Sequence, residues 1–312
     1  MAPLSTKEKL RRTSLIGIMK KCTENQGKGN KMIPLVIDIE TVPRGEYTPQ
    51  EYKEVEPLIE DIAPSKAIKD PEKQEAYIEK KYASELIKYN KDFDKFMVAD
   101  LKAWKRRSLN DKTSQIISIS VKLGDNHVHT FAGEDEHSNL IGFLCWFSDL
   151  DIHIKDILWV GHNIIGKRGF DFNQMRSKLM SQSRYFDVEY RQLADEHLMH
   201  PLFLPDWVSE YPHKYITWRP IDKQEKPVVF DFMHHLPSCP NTFTDKEGKT
   251  RTGTSLDIIL QYYGYKGKQG GPDGSDIYDL WCDGDLDTIV NYNKDEVTQM
   301  AELFKSLTLW WK

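Results

Sequence analysis

The stretch Ile33-Pro34-Leu35-Val36-Ile37-Asp38-Ile39-Glu40-Thr41 is a hydrophobic run that closes in two carboxylates. Five of its first six residues are apolar or proline, which reads as a buried strand. An unpaired charge inside such a strand is costly. Asp38 and Glu40 are two apart, so an extended backbone points both to the same face. Two acids on one face repel each other unless a cation lies between them, and hard oxygen donors of this kind suit Mg²⁺ or Mn²⁺. The alternative is a strand that stops at Ile37 and leaves both acids in a solvated turn before Pro43. The run alone does not separate the two readings.

A metal site of this type needs further carboxylates from distant segments, and two segments offer them. Ile157-Leu158-Trp159-Val160-Gly161-His162-Asn163 is a second apolar run, closing in Gly-His-Asn. Gly169-Phe170-Asp171-Phe172 follows, with Asp171 where a helix would begin, a position that favours an acid through the helix dipole. Near the end of the chain Leu286, Ile289, Val290, Val297, Met300 and Leu303 recur with helical spacing. On that amphipathic helix Tyr292 and Glu296 are four apart and share a face, while Asp295 lies one step round.

Asp-Ile-Glu-Thr after a strand, Gly-His-Asn then Phe-Asp, and a late Tyr followed by an acid together resemble the DEDD superfamily of 3′–5′ exonucleases. The Tyr places the chain nearer the subgroup that includes the proofreading domains of family B polymerases, and within it the chain is similar to stand-alone exonucleases common in phages. Lys69-Asp70-Pro71-Glu72-Lys73, Phe131-Ala132-Gly133-Glu134-Asp135-Glu136, Ser255-Leu256-Asp257 and Asp273-Gly274-Ser275-Asp276-Ile277-Tyr278-Asp279-Leu280-Trp281 resemble further segments of that group. The resemblance covers roughly residues 32 to 306. It implies a ribonuclease H-like fold, two divalent cations (Mg²⁺ or Mn²⁺), and catalytic residues Asp38, Glu40, Asp171, Tyr292 and Glu296, with the four acids as metal ligands. It also implies substrate contacts at Thr41, His162, Asn163 and Phe170, with a simple turn cap as the alternative for Asn163.

Two departures stand out. Members carry Tyr-x-x-x-Asp, whereas a gap-free match here puts Glu296 in the Asp position, with Asp295 one residue early. Using Asp295 instead would rotate the ligand about 100° round the helix, so Glu296 is the favoured fourth ligand and Asp295 the alternative. Gly166-Lys167-Arg168-Gly169 also lengthens the gap between Asn163 and Asp171. Lys167 and Arg168 in that loop are either phosphate contacts, since glycine-flanked basic residues suit one, or part of a solvated insertion.

Composition sets the outer limits. At 312 residues with 39% hydrophobic and 11% aromatic content, the chain can bury a sizeable core, in one large domain or two small ones. No stretch approaches the roughly 20 apolar residues of a membrane span, and Leu15-Ile16-Gly17-Ile18-Met19 is too short for a signal segment. Cys22, Cys145, Cys239 and Cys282 form no Cys-x-x-Cys pair, so neither a disulfide scaffold nor a zinc site is indicated, and a cytoplasmic protein is expected. A net charge of −5 argues against a generic basic coat for nucleic acid, although a metal-carboxylate site is itself acidic until loaded.

Residues 1–31 read as a basic flexible arm, ending in Asn25-Gln26-Gly27-Lys28-Gly29-Asn30-Lys31. Residues 32–312 form the main domain, with a charged, helical insertion over 43–111 in which Tyr77, Ile78, Tyr82, Leu86 and Ile87 are spaced for one face. Lys102-Ala103-Trp104-Lys105-Arg106-Arg107 is either a single-strand contact, mixing an aromatic with cations, or a charged helix end with Trp104 packed inward. Gln115–Val121 and His127–Phe131 around Gly124-Asp125-Asn126 read as a hairpin. Leu140–Leu150 reads as a helix, Ile157–Val160 as the fourth strand and Lys226–Phe232 as the fifth, with Asp231, His234 and His235 structural. His127 and His129 read as solvent-facing, and His197 and His200 lack the partners of a zinc site. The Gly267–Gly274 loop has no phosphate-loop spacing and reads as a turn between helices. The expected architecture is an α/β mixed sheet of about five strands flanked by helices.

The function that follows is metal-dependent hydrolysis from the 3′ end of single-stranded DNA, releasing nucleoside monophosphates. RNA as the polymer, or a catalytically impaired nucleic-acid-binding module on the same fold, are the alternatives. No membrane partner is expected, and a replication polymerase is a candidate partner.

Overall fold

A computed structural model of the chain describes residues 33–150, 152, 157–164, 170–182, 229–236, 242–244, 250–252, 255–268 and 271–309. The basic arm, Lys167, Arg168, His197 and His200 lie outside these residues. The chain divides into two compact units: Pro43–Ser108, and the described residues on either side of it.

The larger unit is built on a five-stranded sheet of β1 (Ile33–Pro43), β2 (Ser114–Leu123), β3 (His129–Ala132), β4 (Ile157–Gly161) and β5 (Val229–Asp231), in the order β3-β2-β1-β4-β5. β1 runs parallel to β4, with Ile33 opposite Ile157 and Val36 opposite Val160, and β4 runs parallel to β5. β2 and β3 pair antiparallel about the turn at Gly124, whose φ of 55° is the left-handed conformation glycine adopts freely. The sheet is thus mixed and flanked by helices, consistent with a ribonuclease H-like fold. A separate two-stranded ribbon, Thr242–Thr244 (β6) with Thr250–Thr252 (β7), was not expected from the sequence.

β1 does not stop at Ile37: it continues through both acids to Pro43. As the central strand it is covered on both faces, which is why its sequence is a continuous apolar run rather than an alternation. Leu35, Ile37 and Ile39 pack with Phe143, Leu144, Trp159, Phe172 and Leu179, drawn partly from α2 (Glu136–Ser148) and α3 (Asp171–Gln182). Val36 belongs to the core of the opposite face, with α5 (Leu256–Tyr262) and α7 (Leu286–Leu309). That second face also carries Asp38 and Glu40. β5 ends one residue earlier than the sequence suggests, and residues 226–228 of the expected strand lie outside the described residues. Phe232 already begins α4 (Phe232–His235), because the Asp231 side chain accepts the Met233 N–H and caps the turn.

One buried ion pair joins α2 and α3 to β2. Glu136 accepts from the Ile116 N–H at 2.8 Å and from Gln182 Nε2 at 2.6 Å, and lies 3.6 Å from Lys178 Nζ, which also donates to the Ser114 carbonyl. Lys178 and Glu136 are 3% and 5% exposed, so each depends on the other to be buried at all.

The Pro43–Ser108 unit is dominated by α1 (Pro71–Lys105), a 35-residue helix started by Pro71 at its first position and by Asp70, which accepts the Glu72 N–H. None of its residues is fully buried. Its packed side is aromatic: Tyr52 meets Tyr89, Phe93 and Phe96 at 5.0–5.6 Å between ring centres. Tyr77 and Ile87, which spacing groups on one face, are exposed, Ile87 by 69%. Trp104 is half-buried against Tyr47, with the Arg107 guanidinium 4.2 Å above its ring. Tyr47 also donates to Asp100 at 2.8 Å, tying the segment before α1 to its last turns. Among the described residues no helix is long and apolar enough to cross a membrane.

Lys178→Met would strand the Glu136 carboxylate in the core. The expected cost is about 3–5 kcal/mol of stability, read from the urea midpoint, with part recovered when Glu136→Gln is added. A shift below about 1 kcal/mol would show that the pair is not a structural joint.

Candidate metal centre

Three distant segments bring acids close enough to act on one another's charge. β1 supplies Asp38 and Glu40. The turn after β4 leads to Asp171 at the first position of α3. α7 supplies Tyr292, Asn293 and Glu296.

Local chemistry holds each segment. α7 follows Gly284, whose φ is 73°, and its first turn is fixed by Asp285, which accepts the Thr288 N–H at 3.1 Å and the Thr288 hydroxyl at 2.6 Å. Ile289, Val297, Met300, Leu303 and Leu307 bury its inner stripe. Asn293 falls in the same stripe and is fully buried. It donates to Asp38 Oδ2 at 2.6 Å and accepts from the Ser118 hydroxyl at 2.9 Å, so it links β1 and β2 to the helix.

The β4 turn is tight. A Cβ at Gly161 would meet the Ile37 carbonyl at 3.0 Å and the Ile164 side chain at 2.4 Å, so only glycine fits. Asn163 follows in the left-handed region, φ 58°. Its N–H donates to Asp231 Oδ1 at 2.9 Å, and its carbonyl accepts from the Phe170 N–H at 2.6 Å. This turn delivers Asp171, with Phe172, Met175 and Leu179 anchoring α3 in the core.

One oxygen each from Asp38, Glu40 and Glu296 lie within 4.8 Å of one another. Asp38 and Glu296 are 9% and 6% exposed, and Glu40 is half-buried. Burial first, then the adjacent Glu296 carboxylate, push the Asp38 carboxyl well above its ordinary range; Lys268 and Asn293 pull the other way without cancelling them. Burial and then Asp38 do the same to Glu40. Asp171 is 3% exposed, and burial followed by Asp38, Glu40, Asp231 and Glu296 raises it too. Asp171 Oδ2 is buried with no hydrogen-bond partner. Oxygen-only donors, mutual repulsion and an orphaned carboxylate oxygen are what a hard divalent cation would satisfy. Asp38, Glu40, Glu296 and Asp171 therefore fit such an ion by their chemistry.

Asp295 is outside this group. It is exposed and accepts from Gln299 Nε2 at 2.8 Å. Tyr292 donates to Glu296 Oε1 at 2.9 Å, and burial, then the three acids led by Glu296, raise its phenol far above the ordinary range, so it stays protonated. Thr41 is buried in β1 beside Glu40, His162 and Asn163 form the turn after β4, and Phe170 packs at the edge of the core. His127 and His129 are exposed, and neither belongs to an acidic or metal-type group among the described residues.

Two residues at the centre were missed by sequence reasoning. Asn293 carried a signal, a polar residue inside an apolar stripe. Lys268 carried none beyond its place in a glycine-rich turn. Its ammonium lies 2.8 Å from Glu296 Oε1 and donates to the Tyr292 hydroxyl. Partial burial alone would lower its pKa, but Glu296, Glu40 and Asp38 together hold it above the ordinary value.

No protein-family model matches the chain, and no curated protein matches it. Among solved structures the chain is similar to the family B DNA polymerase of the hyperthermophilic archaeon Pyrobaculum calidifontis, at 14% sequence identity and a TM-score of 0.43. The likeness covers 88% of this chain and 24% of the polymerase, so the chain spans about a quarter of that protein's length.

The raised carboxyls set a pH dependence. Asp and Glu ordinarily ionise near 3.8 and 4.5, whereas these groups hold protons to higher pH in the fold. The folded state then binds more protons than the unfolded chain, so their contribution to metal-free stability is full below that window and falls as pH rises through it. In EDTA, Asp38→Asn should gain melting temperature relative to the wild type as pH rises from 4 to 8. A difference that stays constant across that range would refute the linkage.

Proposed function

We propose that this protein is a divalent-metal-dependent 3′–5′ exonuclease that releases nucleoside monophosphates from the 3′ end of single-stranded DNA. The observation that carries the reading is the cluster of Asp38, Glu40 and Glu296, with the buried Asp171, whose Oδ2 has no hydrogen-bond partner, close enough for their charges to act on it. These four acids, from three distant segments, are the ones that the resemblance to DEDD exonucleases assigns as ligands.

In this reading Asp38, Glu40 and Glu296 would hold one cation and Asp171, with Asp38, a second; bound there, the cations would supply charge stabilisation to the attacking and leaving oxygens of a phosphodiester. The remaining work falls to the protein. Asn293 fixes the Asp38 carboxylate. Tyr292, kept as a phenol, orients the attacking water rather than removing its proton. His162, Asn163, Thr41 and Phe170 contact the terminal nucleotide, and Lys167 and Arg168 the phosphates behind it. RNA shares this chemistry and is distinguished by cleft shape around the 2′-OH. Residues 32–312 form the exonuclease domain in this reading, with 43–111 as its insertion and residues 1–31 as a basic arm. A replication polymerase is the proposed partner.

The test is degradation of a 5′-labelled single-stranded DNA oligonucleotide with Mg²⁺ or Mn²⁺. A ladder shortening from the 3′ end, absent in EDTA and in Asp38→Ala, is expected. No ladder on DNA or RNA, with binding retained, would leave a binding module instead. Glu296→Gln should cost about 10²-fold or more in rate, as loss of one charge-stabilising group does. Asp295→Asn should retain activity. The reverse pattern would mean that the Asp295 register carries the ligand.

A further inference from the structure

Lys268 lies between α5 and α6 (Ile277–Cys282), and its place is held from both sides. Its own N–H donates to Asp257 Oδ1 at 2.6 Å. Gln299 of α7 grips the preceding residue, accepting from the Gly267 N–H at 2.8 Å and donating to its carbonyl at 3.3 Å. The same Gln299 amide donates to Asp295. Gly267 has φ 62°, and a Cβ there would meet Asp257 Oδ1 at 2.3 Å, so the turn needs glycine. α5 and α7 thus fix the backbone from which Lys268 reaches Glu296 and Tyr292, with its ammonium 4.8 Å from the centre of the Tyr292 ring.

An ammonium has three donors and no acceptor. Tyr292 must therefore accept from Lys268 and give its one proton to Glu296, which defines the direction of the chain Lys268 to Tyr292 to Glu296. The Lys268 side chain is 23% exposed and that of Glu296 8%, so little water screens the pair. Four carboxylates and two divalent cations would leave the site formally neutral. The lysine adds one positive charge, matching the single negative charge of a phosphodiester.

Resting on the exonuclease reading above, we infer that Lys268 is a built-in fifth charge of the metal centre and a positioning residue. Its ammonium offsets the repulsion among Asp38, Glu40 and Glu296, opposes the binding of a divalent cation at Glu296, and holds the Tyr292 hydroxyl in one orientation. Asp295, Gln299 and Asp257 serve the same end by fixing the turn.

The test compares wild type, Lys268→Met and Lys268→Arg. Mn²⁺ affinity is read by calorimetric titration, melting temperature in EDTA, and kcat and KM on the labelled oligonucleotide. Lys268→Met should bind Mn²⁺ at least about tenfold more tightly, because a positive charge beside the ion is gone. It should also melt lower in EDTA, gain more from Mn²⁺ than the wild type, and lose kcat with KM nearly unchanged. Lys268→Arg, which keeps the charge, should return Mn²⁺ affinity toward wild type and serves as the folded reference. Mn²⁺ affinity that is unchanged or weaker in Lys268→Met, or an unchanged kcat where the wild type cleaves, overturns the inference. If the wild type itself does not cleave, the exonuclease reading fails, while the Mn²⁺ and melting comparisons still decide the role of Lys268.

Discussion

Mutual repulsion among buried carboxylates is the constraint on which the rest of this structure depends. Asp38, Glu40 and Glu296 bring oxygens within 4.8 Å of one another on a nearly dry face of the sheet, and Asp171 adds its field from α3. Like charges this close in a low-dielectric setting are unstable unless protons or cations neutralise them. The fold answers with hydrogen-bond donors fixed in advance. Asn293 meets Asp38, Tyr292 meets Glu296, and the Lys268 ammonium stands beside both Glu296 and Tyr292. Everything that positions these donors belongs to the support of the site.

Much of the architecture reads as that support. β1 sits at the centre of the sheet because both its faces are apolar, and this places its two acids under α7 rather than at an edge. Gly161 lets β4 approach β1 closely, and Asp231 holds the Asn163 turn that leads to Asp171. Asp231 is more than a helix cap. Its Oδ1 accepts both the Met233 and Asn163 N–H groups, and its charge is among those that raise Asp171. The aromatic packing of Tyr52 on α1 serves a different end, giving the Pro43–Ser108 unit its own core.

The helical register of α7 separates two residues that composition leaves alike. Glu296 and Asp295 are neighbours in sequence and chemically alike, yet one turns toward Asp38 and the other toward Gln299. The stripe of Ile289, Asn293, Val297 and Met300 fixes the helix rotation, because those side chains must be buried. Glu296 follows Tyr292 by four residues and shares its face. On α1 Tyr77, Ile78, Tyr82, Leu86 and Ile87 share a helical spacing, yet Tyr77 and Ile87 are exposed. That helix buries no residue fully, so its aromatic contacts, and not a continuous stripe, set its rotation.

The sequence by itself determined the apolar strand that begins at Ile33, the β2–β3 hairpin, the mixed sheet, and the helix bearing Tyr292 and Glu296. Each of these rests on local periodicity, turn chemistry or spacing within one segment, which a linear reading can see. Only the tertiary structure decided that β1 runs on through its acids, that Asn293 bridges Asp38 and Ser118, and that Lys268 reaches the acidic centre. Those are contacts between residues far apart in the chain: Asn293 and Asp38 are 255 positions apart. A lysine in a glycine-rich turn has no periodicity to betray its partner, and what brings it to Glu296 is the grip of Asp257 and Gln299 on that turn.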